Sequence, residues 1–497
     1  MKKILFALAF ICYQSHAQDI DMIWSEEIPT KSKSGVSILG SNGDQYYTTY
    51  VDRDDKLQGR IFDKYMKLVK ESQISFNLEE DSKYSYQGAF FLKKNILHFI
   101  KYYQKKNKQS LLFGATTDFQ LRTSENVKVL NEVEDQRVEN FGLYSISPDS
   151  TKILTYHELK TKKKEPSILV YKVVNTNLDE ILNEGAVSLP IKSKNYSTEE
   201  IRVDNLGNVY VMASVVKEKK EQKKDQSKYF YKLIVFGKDK TVKEFDFDFP
   251  DNNISYADII AGKDNTFFCT GFLSTLSKSK KGLVSDKMFF TTINCNTLQL
   301  SDTKLIQVPG LYPDKIKKAE DFVPYKIREI YQKKDGGFTI LAEQYKLVIR
   351  TYTSGNGMVN TSYYYYYCDI ACVQVDNKYD VTSVTRVPKY QLNAENPSII
   401  STFIDDQLYV VYEDVAKNIE ANTDKKIKRS STSLFSSSSK NSLFLVRISQ
   451  SGEMEKNIIY DYKDTKIKPY IKGSKQVRPG QILLNAGEKI GLLTVKI

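Results

Sequence analysis

Asn205-Leu206-Gly207-Asn208 is a tight turn between two short apolar runs, and turns of its kind return along the chain. They recur as Ser41-Asn42-Gly43-Asp44, Leu92-Lys93-Lys94-Asn95, Ser147-Pro148-Asp149-Ser150, Gly262-Lys263-Asp264-Asn265, Lys334-Asp335-Gly336-Gly337 and Ile404-Asp405-Asp406-Gln407. Asn, Asp and Gly suit these positions because the backbone there turns left-handed or a side chain bonds its own turn. Counted from residues 43, 94, 149, 207, 264, 336 and 405, the units are 51 to 72 residues long. That spacing is regular enough for an array and too long for one coil of a solenoid. Each unit reads as strand, tight turn, strand, polar loop, strand, short turn, strand, with almost no helical periodicity.

Several units close on an apolar residue followed by proline: Leu189-Pro190, Phe249-Pro250, Val308-Pro309 and Val387-Pro388. Proline suits an outer strand, where the missing N–H faces solvent and edge-to-edge pairing is blunted. The same ending stands near the start of the chain, from Trp24 to Pro29, with no first strand before it. At the other end, Ile482 to Asn485, the turn Ala486-Gly487-Glu488 and Ile490 to Ile497 form an inner pair without a complete outer half. The two incomplete ends complement each other. The expected fold is all-β: a β-propeller of seven four-stranded blades, or eight when a closing blade is shared by the two ends. Two separate β-sandwiches would explain the strands but not the complementary ends. Runs such as Tyr229 to Phe236 and Ser442 to Ile448, apolar on both faces, fit strands packed blade against blade.

Ser147-Pro148-Asp149 at a strand turn is the nearest local echo of the WD40-like and PD40-type propellers of bacterial envelopes, which the pattern resembles. Glu343-Gln344-Tyr345, the strand from Tyr363 to Val375, and Val387-Pro388-Lys389 followed by Gln391 are similar to secreted propeller-like proteins common in Bacteroidetes. This likeness covers mainly residues 325 to 497, and departs from it at Cys368, where relatives tend to carry Asn before Asp-Ile. It implies a propeller and an exported location, and no activity.

Residues 1 to 17 read as a secretory signal: Lys2 and Lys3, an apolar stretch from Ile4 to Cys12, and Ser15-His16-Ala17 before Gln18. The expected destination is a periplasm, cell surface or medium, with a single propeller domain from residue 18 to 497. Beyond the signal no apolar run approaches the roughly 20 residues needed to span a bilayer, so an integral helical membrane protein is excluded. The stretch from Asp414 to Lys440, rich in Lys and Ser, reads as a flexible insert in one blade.

With three His in 497 residues, histidine chemistry has little to work with. His98 and His157 each sit inside an apolar strand and read as locally bonded. Cys269 and Cys295 are equidistant from Gly282, so a symmetric hairpin centred there would place them opposite one another as a candidate disulfide in an oxidising compartment. Cys368 and Cys372, four apart on one strand, face the same way too far apart to bond, and lack the partners a zinc site requires. The tyrosines from 363 to 367 alternate faces and so form no single platform; they read as packing on both sides of a blade, with a glycan or peptide groove as the alternative. Nothing in the sequence asks for a cofactor, and no residue stands out as catalytic.

Lysines crowd the loops between second and third strands. Lys106, Lys163, Lys220, Lys280 and Lys426 mark five such loops, which a propeller would gather on one rim, as a candidate surface for anionic partners. The net charge is +12, but no stacking or groove-reading motif accompanies it, so nucleic acid is not the expected partner. The expected function is that of an exported, monomeric, non-catalytic binding or scaffold protein of the envelope, engaging a protein or an anionic glycan or lipid surface. The alternative from another class is a carbohydrate-active hydrolase with two carboxylates at the propeller channel.

Overall fold

Each of the seven turns joins the first two strands of a separate antiparallel sheet in the computed structural model. The structure describes residues 20–28, 32–78, 84–104, 107–134, 138–159, 161–162, 164–222, 227–262, 265–275, 285–312, 323–353, 358–393, 399–421, 427, 441–463, 465 and 467–496. The left-handed backbone expected at the turns falls on Gly43, Ser150, Gly207, Asn265, Gly336, Asp405 and Asp406.

The first sheet holds Ser32–Asn42, Gln45–Asp52, Leu57–Phe62 and Leu68–Ile74, and the second Tyr84–Phe91, Ile96–Gln104, Gln109–Thr117 and Thr123–Val133. The third holds Val138–Ile146, Lys152–Leu159, Pro166–Asn175 and Ile181–Lys192; the fourth Tyr196–Val203, Val209–Val216, Tyr229–Phe236 and Val242–Phe247. In the fifth, Asn252–Ala261, Thr266–Thr275 and Ser285–Asn294 are followed by an interrupted outer strand, Gln299–Leu300 and Lys304–Gln307. The sixth repeats that pattern with Tyr325–Gln332, Phe338–Thr353, Val359–Val375, and the outer pieces Val381–Val387 and Gln391–Asn393. The seventh holds Ile399–Ile404, Gln407–Val415, Asn441–Ile448 and Met454–Asp461.

An eighth sheet is shared by the two ends of the described chain. Tyr470–Arg478, Gln481–Asn485 and Ile490–Val495 come from the C-terminal part, and Ile20–Trp24 pairs with Ile490–Val495 as its outermost strand. The complementary ends thus meet, with one correction. The C-terminal part supplies three strands and not an inner pair, because the polar segment Tyr470–Arg478 is the innermost. Trp24 lies directly over Gly491, its cross-strand partner, where a Cβ would come within 2.6 Å of the indole.

Hydrophobic residues are distributed in a way no pair of sandwiches would give. Tyr47 and Ile61 meet Ile96 between the first and second sheets, and Phe99 and Leu112 meet Ile153 between the second and third. Leu169 meets Val211 and Ile234, Tyr210 and Leu233 meet Phe289, and Phe272 and Met288 meet Ile340, carrying the sequence to the sixth sheet. Leu341 and Cys372 meet Tyr412, Val411 meets Leu493, and Leu483 meets Tyr46, which returns the cycle to the first sheet. Every core is an interface between consecutive sheets, the arrangement of a β-propeller.

A turn device recurs that composition alone does not reveal. The carboxylates of Asp52, Asp63, Asp118, Asp204 and Asp376 each accept the backbone N–H groups two and four residues on. The residue three on is left-handed: Asp55, Met66, Leu121, Gly207 and Tyr379. The carboxylate so fixes the loop that Met, Leu and Tyr occupy a conformation usually left to Gly or Asn. A second recurrence lies in the first strands. Register shifts fall between Ile38 and Gly40, Tyr86 and Gly88, Thr198 and Glu200, Ile254 and Tyr256, and Ile327 and Glu329. Bulges of this kind bend a strand and re-aim its side chains.

Candidate functional site

The turns between first and second strands touch one another from sheet to sheet. Asp149 N–H donates to Asn205 (3.0 Å), Asn205 to Asn265 (3.4 Å), and Lys334 N–H to Asp406 (3.1 Å). They form one end of the assembly, and the connections between second and third strands lie at the other. Of the five lysines expected to mark that rim, Lys106, Lys163, Lys280 and Lys426 lie outside the described residues. Lys220 is exposed at 77%, with its Nζ 3.9 Å from Glu218. Its neighbours are paired as well: Lys217 with Asp248 at 2.7 Å, Lys162 with Glu165 at 3.8 Å, and Lys192 with Glu218 at 2.6 Å. Where it is described, the rim is of mixed charge. The insert read from Asp414 is ordered through Ala421, with a buried Asn418 in a short 3-10 turn, Ala416–Glu420; apart from Ile427, the remainder to Lys440 lies outside the described residues.

The sixth sheet makes the same connection differently. Phe338–Thr353 and Val359–Val375 run 16 and 17 residues, yet Tyr325–Gln332 accompanies the first only as far as Gln344. From Tyr345 the two strands run on as a hairpin, paired from Tyr345↔Tyr367 to Thr353↔Val359; Gln391–Asn393 flanks it as far as Tyr365, and beyond that no third strand accompanies it among the described residues. The six residues from Val348 to Thr353 correspond to about 20 Å. The register places Leu347 opposite Tyr365, Ile349 opposite Tyr363, and Thr351 opposite Thr361 on one face. That face is turned to solvent: Leu347 is 39% exposed, Ile349 56%, Val359 67% and Tyr363 53%. The other face carries Lys346, Val348 and Arg350 with Tyr364 and Tyr366, and Arg350 stacks on Tyr364 at 5.1 Å. No Asp or Glu occurs from residue 345 to 367. The tyrosine run does alternate, but it does not pack both sides of a blade. Only Tyr367 is buried; Gln391–Asn393 flanks the run as far as Tyr365, and Tyr363 and Tyr364 lie beyond it.

At the foot of the hairpin lies a buried ionic network built from the segments quoted above. Lys389 and Glu343, both with fully buried side chains, meet at 2.5 Å, and Arg328 donates to the other Glu343 oxygen from Nε (2.9 Å) and Nη2 (2.6 Å). Lys389 also donates to Gln391 (3.3 Å), and Asp369 accepts from Arg386 at 2.6 Å while its N–H donates to Gln344. Arg328 lies 5.7 Å from the Tyr367 ring and 6.0 Å from that of Tyr345. The root of the hairpin is thereby fixed by charge-assisted bonds instead of loose packing.

Three consecutive first strands bring a second group together. Glu200 lies 3.2 Å from Arg202, Tyr256 donates to Asp258 at 3.2 Å, and Lys326 stands 4.9 Å over the Tyr256 ring. Desolvation raises the carboxyls of Glu200, Asp258 and Glu329 above their ordinary range, and Arg202 opposes the rise in each. Glu329 is reached by solvent at its surface, and desolvation still dominates the rise of its carboxyl. Sequence reading named none of these residues, since the bulges that gather them are silent in composition.

The cysteine expectation is corrected by register. Cys269 pairs with Thr291, which centres the hairpin two residues before Gly282, and Cys295 follows the end of its strand. The two are free, buried thiols in one core, and desolvation raises both. His98 is bonded locally, as expected, between Tyr86 (3.2 Å) and Thr117 (2.9 Å), and burial lowers it to about 3. Among the described residues no group of three His, Cys, Asp or Glu could hold a metal ion, and no helix is long and apolar enough to cross a membrane.

Asp414 supplies a pH-dependent test of the seventh sheet. Its Oδ1 accepts from Val415 N–H (2.7 Å) and Asn418 (3.0 Å), and desolvation raises the carboxyl to about 6. The folded protein therefore holds this proton more tightly than the unfolded chain, whose Asp titrates near 4. Its stabilising contribution is complete below about pH 4 and is lost as pH rises through about 6. Between pH 4 and 7.5 the native protein should lose about 2–3 kcal/mol relative to Asp414→Asn in urea unfolding. Parallel curves for the two would refute the assignment.

No family model matches this chain. Nor does any curated protein. Among solved structures it is similar to the WD40 domain of SCAP from fission yeast, with 10% identity, 96% of this chain and 98% of that chain covered, and a TM-score of 0.36. It is also similar to the β-propeller domain of the Trilobed protease from Pyrococcus furiosus, with 12% identity, coverage of 86% and 97%, and a TM-score of 0.33. A third is an α-L-arabinanase from Penicillium chrysogenum, with 10% identity, coverage of 66% and 92%, and a TM-score of 0.30.

Proposed function

We propose that this chain is an exported, eight-bladed, non-catalytic propeller of the cell envelope that binds a protein through the hairpin of its sixth blade. The observation that carries the reading is the solvent-facing stripe of Leu347, Ile349, Val359 and Tyr363, free of charge, on a hairpin whose root is held by the Glu343 network. Aromatic and aliphatic side chains clustered on a rigid support are what protein interfaces use as anchors. On the same rim Lys162, Lys192, Lys217 and Lys220 each lie near a carboxylate, which favours a protein over an anionic polymer.

A photocrosslinking residue at Ile349 or Tyr363, in the protein exported in its native envelope, should give the same discrete protein adduct. The equally exposed Tyr65 and Tyr229 should not. Tyr363→Ala and Ile349→Asp should each weaken the adduct tenfold or more, about 1.4 kcal/mol. Crosslinking no stronger at the hairpin than at the controls would refute the reading.

Glu200, Asp258 and Glu329 favour a second reading, a hydrolase acting on a glycan at this cluster, since glycosidases need a protonated and an ionised carboxyl near one another. Turnover of neutral polysaccharides that disappears in Asp258→Asn and Glu200→Gln would establish it. Turnover unchanged by both substitutions would remove it.

A further inference from the structure

The proposed protein-binding role of the hairpin leaves open how a partner engages it, and the hairpin's edge and charges narrow the choice. From Leu347 to Thr353 its outer side pairs with no strand among the described residues, because Tyr325–Gln332 stops at Gln344. An edge of this length presents a row of backbone donors and acceptors to any extended chain that approaches. Natural sheets blunt such edges with bulges, prolines or inward charges. Here the strand has no proline, and its register to Val359–Tyr367 is unbroken beyond Tyr345.

The two faces beside the edge differ in kind. One is the uncharged stripe of Leu347, Ile349, Tyr363 and Tyr365; the other carries Lys346 and Arg350, the latter exposed and stacked on Tyr364. A lipid surface laid against the stripe would leave both cations on the far side. A second copy of the chain, pairing edge to edge, would bring Arg350 and Lys346 of both molecules onto a shared face. An extended segment avoids both difficulties because its alternate side chains project to opposite faces.

The geometry points to strand addition: the edge Leu347–Thr353 takes up an extended segment of a partner protein in which apolar and acidic residues alternate. Its backbone extends the sheet, its apolar side chains lie on the stripe, and its carboxylates face Arg350 and Lys346. This mode draws affinity from main-chain bonds and specificity from alternate side chains. It rests on the reading of the hairpin as a protein-binding element.

The test uses the full mature protein and three labelled nine-residue peptides: alternating Val and Glu, alternating Val and Lys, and a block peptide with the Val residues first and the Glu residues last. Fluorescence polarisation should show the alternating Glu peptide binding at least tenfold more tightly than the block peptide. Arg350→Glu, an exposed substitution whose fold is checked by circular dichroism, should reverse the preference between the Glu and Lys peptides. Equal binding of alternating and block peptides, a preference unchanged by Arg350→Glu, or no binding at all would overturn strand addition. Concentration-dependent dimerisation without peptide binding would assign the edge to a second copy. Binding only to anionic vesicles would assign it to lipid. The crosslinks at Ile349 and Tyr363 separate the two levels: protein adducts with failed peptides leave the binding role standing and remove only its mode.

Discussion

Glu343→Gln is expected to destabilise the protein by about 3–5 kcal/mol in urea unfolding, the cost of leaving a buried cation without its counter-charge. Glu343 and Lys389 have fully buried side chains and meet at 2.5 Å, with Arg328 on the second carboxylate oxygen. Removing the anion takes away the carboxylate that Lys389 meets at 2.5 Å, while the Gln391 carbonyl at 3.3 Å and the Tyr367 ring at 6.0 Å stay near its ammonium group. Neither replaces the bond to Glu343, and water does not reach the ammonium. Glu343→Leu combined with Lys389→Met should recover most of the loss, since both charges then leave together and Arg328 is partly solvated. A loss below about 1 kcal/mol for Glu343→Gln would mean that the pair is hydrated in solution. The pair also fixes the angle of the hairpin, so the double variant should fold well yet give weaker crosslinks from Tyr363.

Removing Ile20–Trp24 is the second change with a large expected effect. Ile20, Met22 and Trp24 pack on the core between the seventh and eighth sheets, and Trp24 also lies against Tyr460 at 5.5 Å. These side chains are partly exposed, so their burial contributes about half of the 1.5–3 kcal/mol typical of a large apolar group, about 4 kcal/mol for the three with their ladder. Deletion also opens Ile490–Val495 as an apolar edge, which favours association between molecules. A synthetic peptide of residues 20–28 added in trans should restore the lost stability, increasingly with the logarithm of its concentration once that exceeds the dissociation constant. A truncated protein as stable as the parent, or one indifferent to the peptide, would show that the eighth sheet does not depend on its outer strand.

The turns were legible because their chemistry is local. A left-handed residue such as Gly207 or Gly336 must be Gly or a residue held by its own turn, and that constraint is written at the position itself. The sharing of one sheet by both ends was legible because Trp24 to Pro29 lacks a beginning and Ile482 to Val495 lacks an end. Tyr470–Arg478 escaped notice since its neighbours in the structure, and not its own polar residues, make it a strand. The tyrosine run was misread for a related reason. Alternating aromatic residues look the same in a buried blade and in a hairpin that has outrun its sheet, and only the length of the neighbouring strand separates them. Likewise Glu343 and Lys389, 46 positions apart, meet only through registers that pair Glu343 with Ile370 and Ile370 with Val387. The Cys269 partner was missed by a shift of two residues in the centre of a hairpin, which no local feature announces.

The shared eighth sheet also sets a timetable. Ile20 pairs with Val495, so this strand finds its place only after the long stretch of chain between them has been made. Seven sheets can form in the order of their synthesis, each from a continuous stretch, while Ile20–Trp24 waits with its apolar side chains uncovered. Closure is then the last event of folding, and the slowest in topological terms, because its contacts span almost the full length of the chain. Until it happens the molecule is a row of sheets with two raw flanks, and a holding factor that binds apolar strands has its natural opportunity in that interval.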